Sequence, residues 1–145
     1  MALVNRSTLC ELIPHAGDMC LLDEVLAWDE GRIQCLSHSH RQSHNPLRNH
    51  DGLSAIALVE YGAQAMAVHG GLLAREKGKQ INEGYLAALR DVKIKDGFVD
   101  SIATPLIIEA NKLMSQQGNM IYQFSVRADD DVLVSGRATV ISNLS

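Results

Sequence analysis

Positive charge is scarce in this 145-residue chain: 13 Lys and Arg stand against 17 Asp and Glu, for a formal net charge of -4 with His neutral. No block of like charge occurs. An electrostatic nucleic-acid binder carries a basic patch or stripe, so that class is excluded. The same deficit argues against a polybasic protein of membrane surfaces. The opening, MALVNRSTLC, lacks the charged-then-apolar run of a secretory signal. The most apolar stretch is broken by Glu60 and Gln64 and is too short to span a bilayer unaided. Cysteine is limited to Cys10, Cys20 and Cys35, an odd number without metal-type spacing. Reduced thiols in a cytoplasmic protein are the expectation. Aromatic residues are lean at 4%, while the 46% apolar fraction is ordinary for a globular chain. One domain, 1–145, is expected, and a chain of this size buries roughly 68–70% of its unfolded surface.

What is present divides into three parts. STLCEL predicts a short helix, with Thr8 and Glu11 spaced as a capping box, Pro14 as its end and His15 in an exposed turn. MCLLDEVLAW and RIQCLSHSH read as two strands joined by the turn DEG. RQSHNPLRNHDG is a polar loop, in which Pro46 disfavours helix for Asn45. From Leu53, about 25 residues without proline predict a helix reaching about 37 Å, with Gly70-Gly71 a weak point near its end. YLAALRDVKI, ATPLIIEANKL, NMIYQFSVRA and VLVSGRATVI then read as four strands. Two strands, one helix and four strands imply an α+β fold, an antiparallel sheet wrapped on a central helix.

That helix is unusual because it has no polar stripe before Arg75. At 100° per residue, Leu53, Ile56, Ala57, Ala63 and Ala67 share a side with Glu60, and Leu58, Gly62, Ala65 and His69 lie opposite. An all-round apolar helix is expected to be covered all round, by the sheet and by a partner chain. Glu60 would then be partly desolvated, which raises a carboxyl pKa towards the range useful for general acid or base work. Gln64, one turn on, is placed to hold the carboxyl by a hydrogen bond. Buried titratable groups cluster at functional sites, although a satisfied structural glutamate fits the pattern too.

Four of the six histidines, His38, His40, His44 and His50, fall in the loop before the helix. Their spacing matches no standard zinc pattern, and solvated loop residues account for at least two of them. His38 and His40 share one face if the strand persists that far. His69, opposite Glu60, reads as a packed histidine. A loop histidine and Glu60 make a candidate acid–base pair. Glu60, however, lies about 10 Å in from the helix start. The loop must fold back along the helix, or the histidine must come from another protomer.

Several segments carry a resemblance. EYGAQAMA at 60–67 resembles the EAMAQA helix motif of the 3-hydroxyacyl-acyl carrier protein dehydratases. HNP at 44–46 resembles their GHFPG loop, and LIPHAGDMCLLDEV at 12–25 their opening segment. The chain also resembles the divergent dehydratase-like proteins of aryl-polyene and polyketide-type lipid clusters. Both glycines flanking the family HFP are missing, and His44 lies two residues further from Glu60 than in the family. An alignment anchored on Asn45-Pro46 makes His44 incidental and leaves His40, or no histidine, as the catalyst. The resemblance implies a hotdog fold and dehydration of a 3-hydroxyacyl thioester to a trans-2-enoyl thioester. It also implies a substrate carried on the phosphopantetheine of an acyl carrier protein, with no metal or soluble cofactor. His44 or His40 would be the base and Glu60 the acid. Gly52 and Leu53 would polarise the thioester carbonyl through backbone N–H groups, with Asn45 and Gln64 at the substrate. The partners implied are the carrier protein and a second hotdog chain, as homodimer or heterodimer. Two alternatives stand beside this reading: a hotdog acyl thioesterase, and a non-catalytic hotdog subunit paired with an active dehydratase.

Overall fold

The computed structural model describes residues 2–13, 19–79 and 81–144. Pro14 and His15 lie outside the described residues. The elements run β1 (Ala2–Val4), α1 (Arg6–Glu11), β2 (Glu24–Asp29), β3 (Arg32–Ser37), α2 (Leu58–Glu76), β4 (Ile81–Ile94), β5 (Leu106–Gln116), β6 (Asn119–Ala128) and β7 (Asp131–Leu144). The strands form one antiparallel sheet in the order β1-β2-β3-β5-β6-β7-β4. This is the sheet-around-helix layout of a hotdog fold, and its elements follow in the order the periodicity predicts. The short edge strand β1 has no counterpart in that reading, because three residues are too few to show a period.

Alternation makes the sheet two-faced. Ile33, Cys35, Leu106, Ile108, Tyr122, Phe124 and Val126 are buried at every second position and meet α2. The reversal from β5 to β6 is made by Gln117 and Gly118, both at positive φ (52° and 84°), as a two-residue hairpin turn requires. Gly62 lets helix and sheet close together: a Cβ there would lie 2.6 Å from the Phe124 ring. Any larger residue would push α2 off the sheet.

The central helix is shorter than its composition predicts. A 3₁₀ turn occupies Ala55–Ala57, and the α-helix proper has 19 residues, about 28 Å. Long-range pairing takes the missing turn. The amide of Val99 donates to the carbonyl of Leu53 at 2.8 Å and that of Ala55 to Gly97 at 3.0 Å, keeping Leu53 and the extended Ser54 out of the helix. The Gly70-Gly71 pair stays helical, and Leu12 packs against Gly71.

Three expectations are corrected near the amino terminus and in the loop. Asn5, and not Thr8, caps α1, its side chain accepting from the Thr8 amide at 3.0 Å. Cys10 and Cys20 form a disulfide, joining the end of α1 to the segment before β2, so only Cys35 is a free thiol. The thiols are not all reduced. Burial pushes the Cys35 thiol up to about 12, which makes it unreactive. Finally, β3 ends at Ser37, so His38 and His40 do not share a strand face. His38 is exposed and His40 is fully buried.

Candidate functional site

α2 presents two contrasting sides. Leu58, Tyr61, Gly62, Ala65, Met66 and His69 are buried. Glu60, Ala63 and Ala67 are half-buried, and Ile56, one turn before Glu60, is 62% exposed. The helix is therefore not covered all round by its own chain, and the stripe that carries Glu60 is the open one. Nor does Gln64 hold Glu60. Its Oε1 accepts from the Leu21 amide at 2.9 Å, and its Nε2 donates to the Met19 carbonyl at 2.6 Å. The side chain is consumed in tying the opening segment to the helix.

The histidine loop is fastened at two places. On the helix side, the Asn45 amide Nδ2 donates to the Ser39 carbonyl and to the Tyr61 hydroxyl, both at 2.9 Å. Ser39 Oγ lies 2.7 Å from the same hydroxyl. Burial raises the Tyr61 pKa, so the phenol keeps its proton. On the far side, His40 Nε2 lies 2.9 Å from the Ile102 carbonyl. A carbonyl only accepts, so Nε2 carries the proton and Nδ1 is a buried lone pair, unpartnered among the described residues. Burial lowers the His40 pKa, helped by the charges of Arg41 and His38 and opposed chiefly by the Ile102 carbonyl, so the ring is neutral.

His44 has the opposite character. It is exposed and lines a narrow cleft with Arg6, Leu21, Ser39 and Asn45, between the opening segment and the loop. Glu60 does not line that cleft. Among the described residues no hydrogen bond joins Glu60 to either loop histidine. The fold thus brings His44, Asn45 and Ser39 together and leaves Glu60 on the neighbouring open stripe.

Gly52 and Leu53 lie elsewhere. The Gly52 amide donates to Asn49 and the Leu53 amide to Asp100 Oδ1, each at 3.0 Å, so neither is free to polarise a carbonyl in this structure. Asp100 also takes Arg48 at 3.2 Å. The Leu53 amide, seconded by Arg48, holds its carboxyl below the usual range. Gly52 is required there: its φ is +122°, and a Cβ would meet Asp100 at 2.4 Å. Tyr61, Ser39 and Asp100 escape the sequence reading. Tyr61 stands inside the EYGAQAMA motif, a polar-tipped residue on an apolar face, and that is a usable signal. Asp100 has none.

No group of three His, Cys, Asp or Glu side chains is placed to hold a metal among the described residues. No described helix is long and apolar enough to cross a membrane.

Known proteins share this fold. The dehydratase heterocomplex ApeI:P from Xenorhabdus doucetiae superposes with a TM-score of 0.82 at 24% identity, covering 93% of this chain and 90% of that one. Thioesterase HI1161 from Haemophilus influenzae superposes at 0.64 with 15% identity, covering 97% and 91%. A mutant of thioesterase PA1618 from Pseudomonas aeruginosa gives 0.59 at 9%, covering 83% and 81%. At these identities the likeness establishes the hotdog fold. No curated protein matches by sequence. The family of ApeP dehydratases does match, over residues 7–144, and this chain belongs to that ApeP-like family.

Proposed function

We propose that this chain works in the dehydration of 3-hydroxyacyl thioesters carried on an acyl carrier protein, at a site completed by a second hotdog chain. The observation that carries the reading is the position of Glu60. It sits on the one helix stripe that its own sheet leaves open, next to a residue bonded to the histidine loop. A second chain laid on that stripe would desolvate the carboxyl and supply the far wall of a pocket.

Two σ bonds of the substrate break, C2–H and C3–O, while a C2–C3 π bond and an O–H bond of water form. A histidine removes the proton α to the thioester carbonyl, the electron pair forms the C2–C3 double bond, and the 3-hydroxyl leaves as water with a proton from Glu60. The thioester acidifies the α carbon, so the step needs no metal or redox group. Positioned acid–base catalysis of this kind is worth roughly 10²–10⁴ in rate. Of the two loop histidines, His44 is the one a substrate can reach. His40 is sealed in the fold with one nitrogen bound to Ile102.

A second reading has its own support. His44 and Glu60 do not line one cleft in this chain. That fits a subunit which contributes Glu60 or shapes the pocket while a different hotdog chain supplies the histidine, as a heteromeric dehydratase would. Thioester hydrolysis is the remaining alternative, and its products, a free acid and a thiol, identify it at once.

One assay separates these. The purified protein is mixed with a 3-hydroxyacyl-carrier protein and followed for mass loss of one water, beside Glu60→Gln, His44→Ala and His40→Ala. Water loss that disappears in Glu60→Gln and His44→Ala supports the first reading. Activity only after a different hotdog chain is added, and unaffected by His44→Ala, supports the subunit reading. Full turnover by Glu60→Gln in any setting sinks the role of Glu60.

A further inference from the structure

His44 and Glu60 are each followed directly by one partner of a single hydrogen bond: His44 precedes Asn45, Glu60 precedes Tyr61, and Asn45 Nδ2 donates to the Tyr61 hydroxyl at 2.9 Å. All the groups involved are buried, with Asn45 and Ser39 each 5% exposed and Tyr61 fully enclosed. Asn45 donates to the Tyr61 hydroxyl, which lies 2.7 Å from Ser39 Oγ. Ser39 Oγ and Ser37 Oγ lie 2.9 Å apart and both reach the Leu21 carbonyl, Ser39 Oγ at 2.7 Å. Both N–H groups of the Asn45 amide are used, and its Oδ1 accepts from the Leu47 amide at 2.9 Å. These bonds link the loop, the helix and the opening segment. Such closed, buried networks rigidify what they join.

We infer that Tyr61 is the positioning residue of the proposed dehydratase site, its hydroxyl setting the loop of His44 against the helix turn of Glu60. The inference rests on the proposed function for its catalytic consequence, but the pinning of the loop stands apart from it. Tyr61 touches no substrate. It acts through Asn45 and through its own place beside Glu60. The hydroxyl matters for where it sits, since the phenol stays protonated.

Tyr61→Phe is a clean probe, because the ring fits the same space and the freed groups keep other partners: Asn45 retains Ser39 and Leu47, and Ser39 retains Leu21. In the active assembly, kcat is expected to fall about tenfold, the decade one lost buried hydrogen bond accounts for. KM should stay within about twofold and the pH–rate profile keep its shape, because the buried phenol that is removed stays protonated throughout the working range. Asn45→Ala tests the other end. If the pair acts as one device, the double variant is no slower than the worse single variant. An unchanged kcat in Tyr61→Phe, a rise in KM alone, or strictly multiplicative losses would overturn the inference. Amide exchange over 39–47 supplies a readout independent of turnover. Tyr61→Phe is expected to exchange there about tenfold faster while the sheet amides keep their protection. Wild-type protein inactive in every combination would defeat the proposed reaction; unchanged exchange would defeat the pinning.

Discussion

Gln64 serves Leu21, 43 residues earlier in the chain, as a neighbouring strand would: its Oε1 takes the Leu21 amide at 2.9 Å while its Nε2 gives to the Met19 carbonyl at 2.6 Å. One side chain thus satisfies two backbone groups of a segment that has no ladder of its own. Leu21 is 1% exposed, so its amide has no water to fall back on. Gln64→Leu leaves that amide orphaned, and a loss of about 2–3 kcal/mol is expected. Urea unfolding checks it. A variant of unchanged midpoint but raised KM would instead place Gln64 at the substrate.

The disulfide closes a short loop, with Cys10 and Cys20 ten positions apart. Loop-closure entropy for a ring of this size amounts to about 2–3 kcal/mol in the unfolded chain. Cys10→Ser with Cys20→Ser is expected to unfold at correspondingly lower urea, and dithiothreitol should bring the wild type to the same midpoint. Identical midpoints with and without reductant would show that the bond does not stabilise the fold.

Two buried histidines set an acid limit. His40 is held at the Ile102 carbonyl, and His69 lies between the Asp29 carbonyl and the Tyr122 hydroxyl, 2.7 Å from each. Burial lowers both pKa values from the ordinary 6.5. With the folded pKa below the unfolded one, the unfolded chain binds the proton first as pH falls. Stability is therefore complete above about pH 6.5 and declines below it, until the folded pKa is passed. Each group contributes a slope of up to about 1.4 kcal/mol per pH unit within that window. Urea midpoints measured from pH 7.5 to 5 should drop on the acid side, and His40→Gln should lessen the slope. A flat profile would mean that the two rings titrate normally.

The open stripe on α2 gives a test of assembly. Ile56 is 62% exposed, one turn before Glu60, on the side its own sheet does not cover. Ile56→Arg adds bulk and charge there without touching the sheet-facing core. The variant is expected to keep its far-ultraviolet spectrum and urea midpoint within about 0.5 kcal/mol, as surface substitutions do, while sedimenting as a smaller species. Unchanged sedimentation in the presence of the second hotdog chain would place the interface elsewhere.

Much of this architecture follows from the sequence alone, and the reason is local. Strand alternation in 106–110 and 122–128, the Gln117-Gly118 turn and the proline-free helix are properties of neighbouring residues. So is the EYGAQAMA segment that places Glu60. What the sequence does not carry is which distant group each polar side chain meets. Leu53 and Ala55 leave the helix because Val99 and Gly97 pair with them. Gln64 turns from Glu60 because the backbone of Met19 and Leu21 needs it more. His40 and His44, four residues apart in one polar loop, end in opposite environments because Ile102 captures the first and nothing covers the second. Periodicity decides which face is apolar. Only the packed chain decides which part of that face its own sheet reaches, and here it stops short of Glu60.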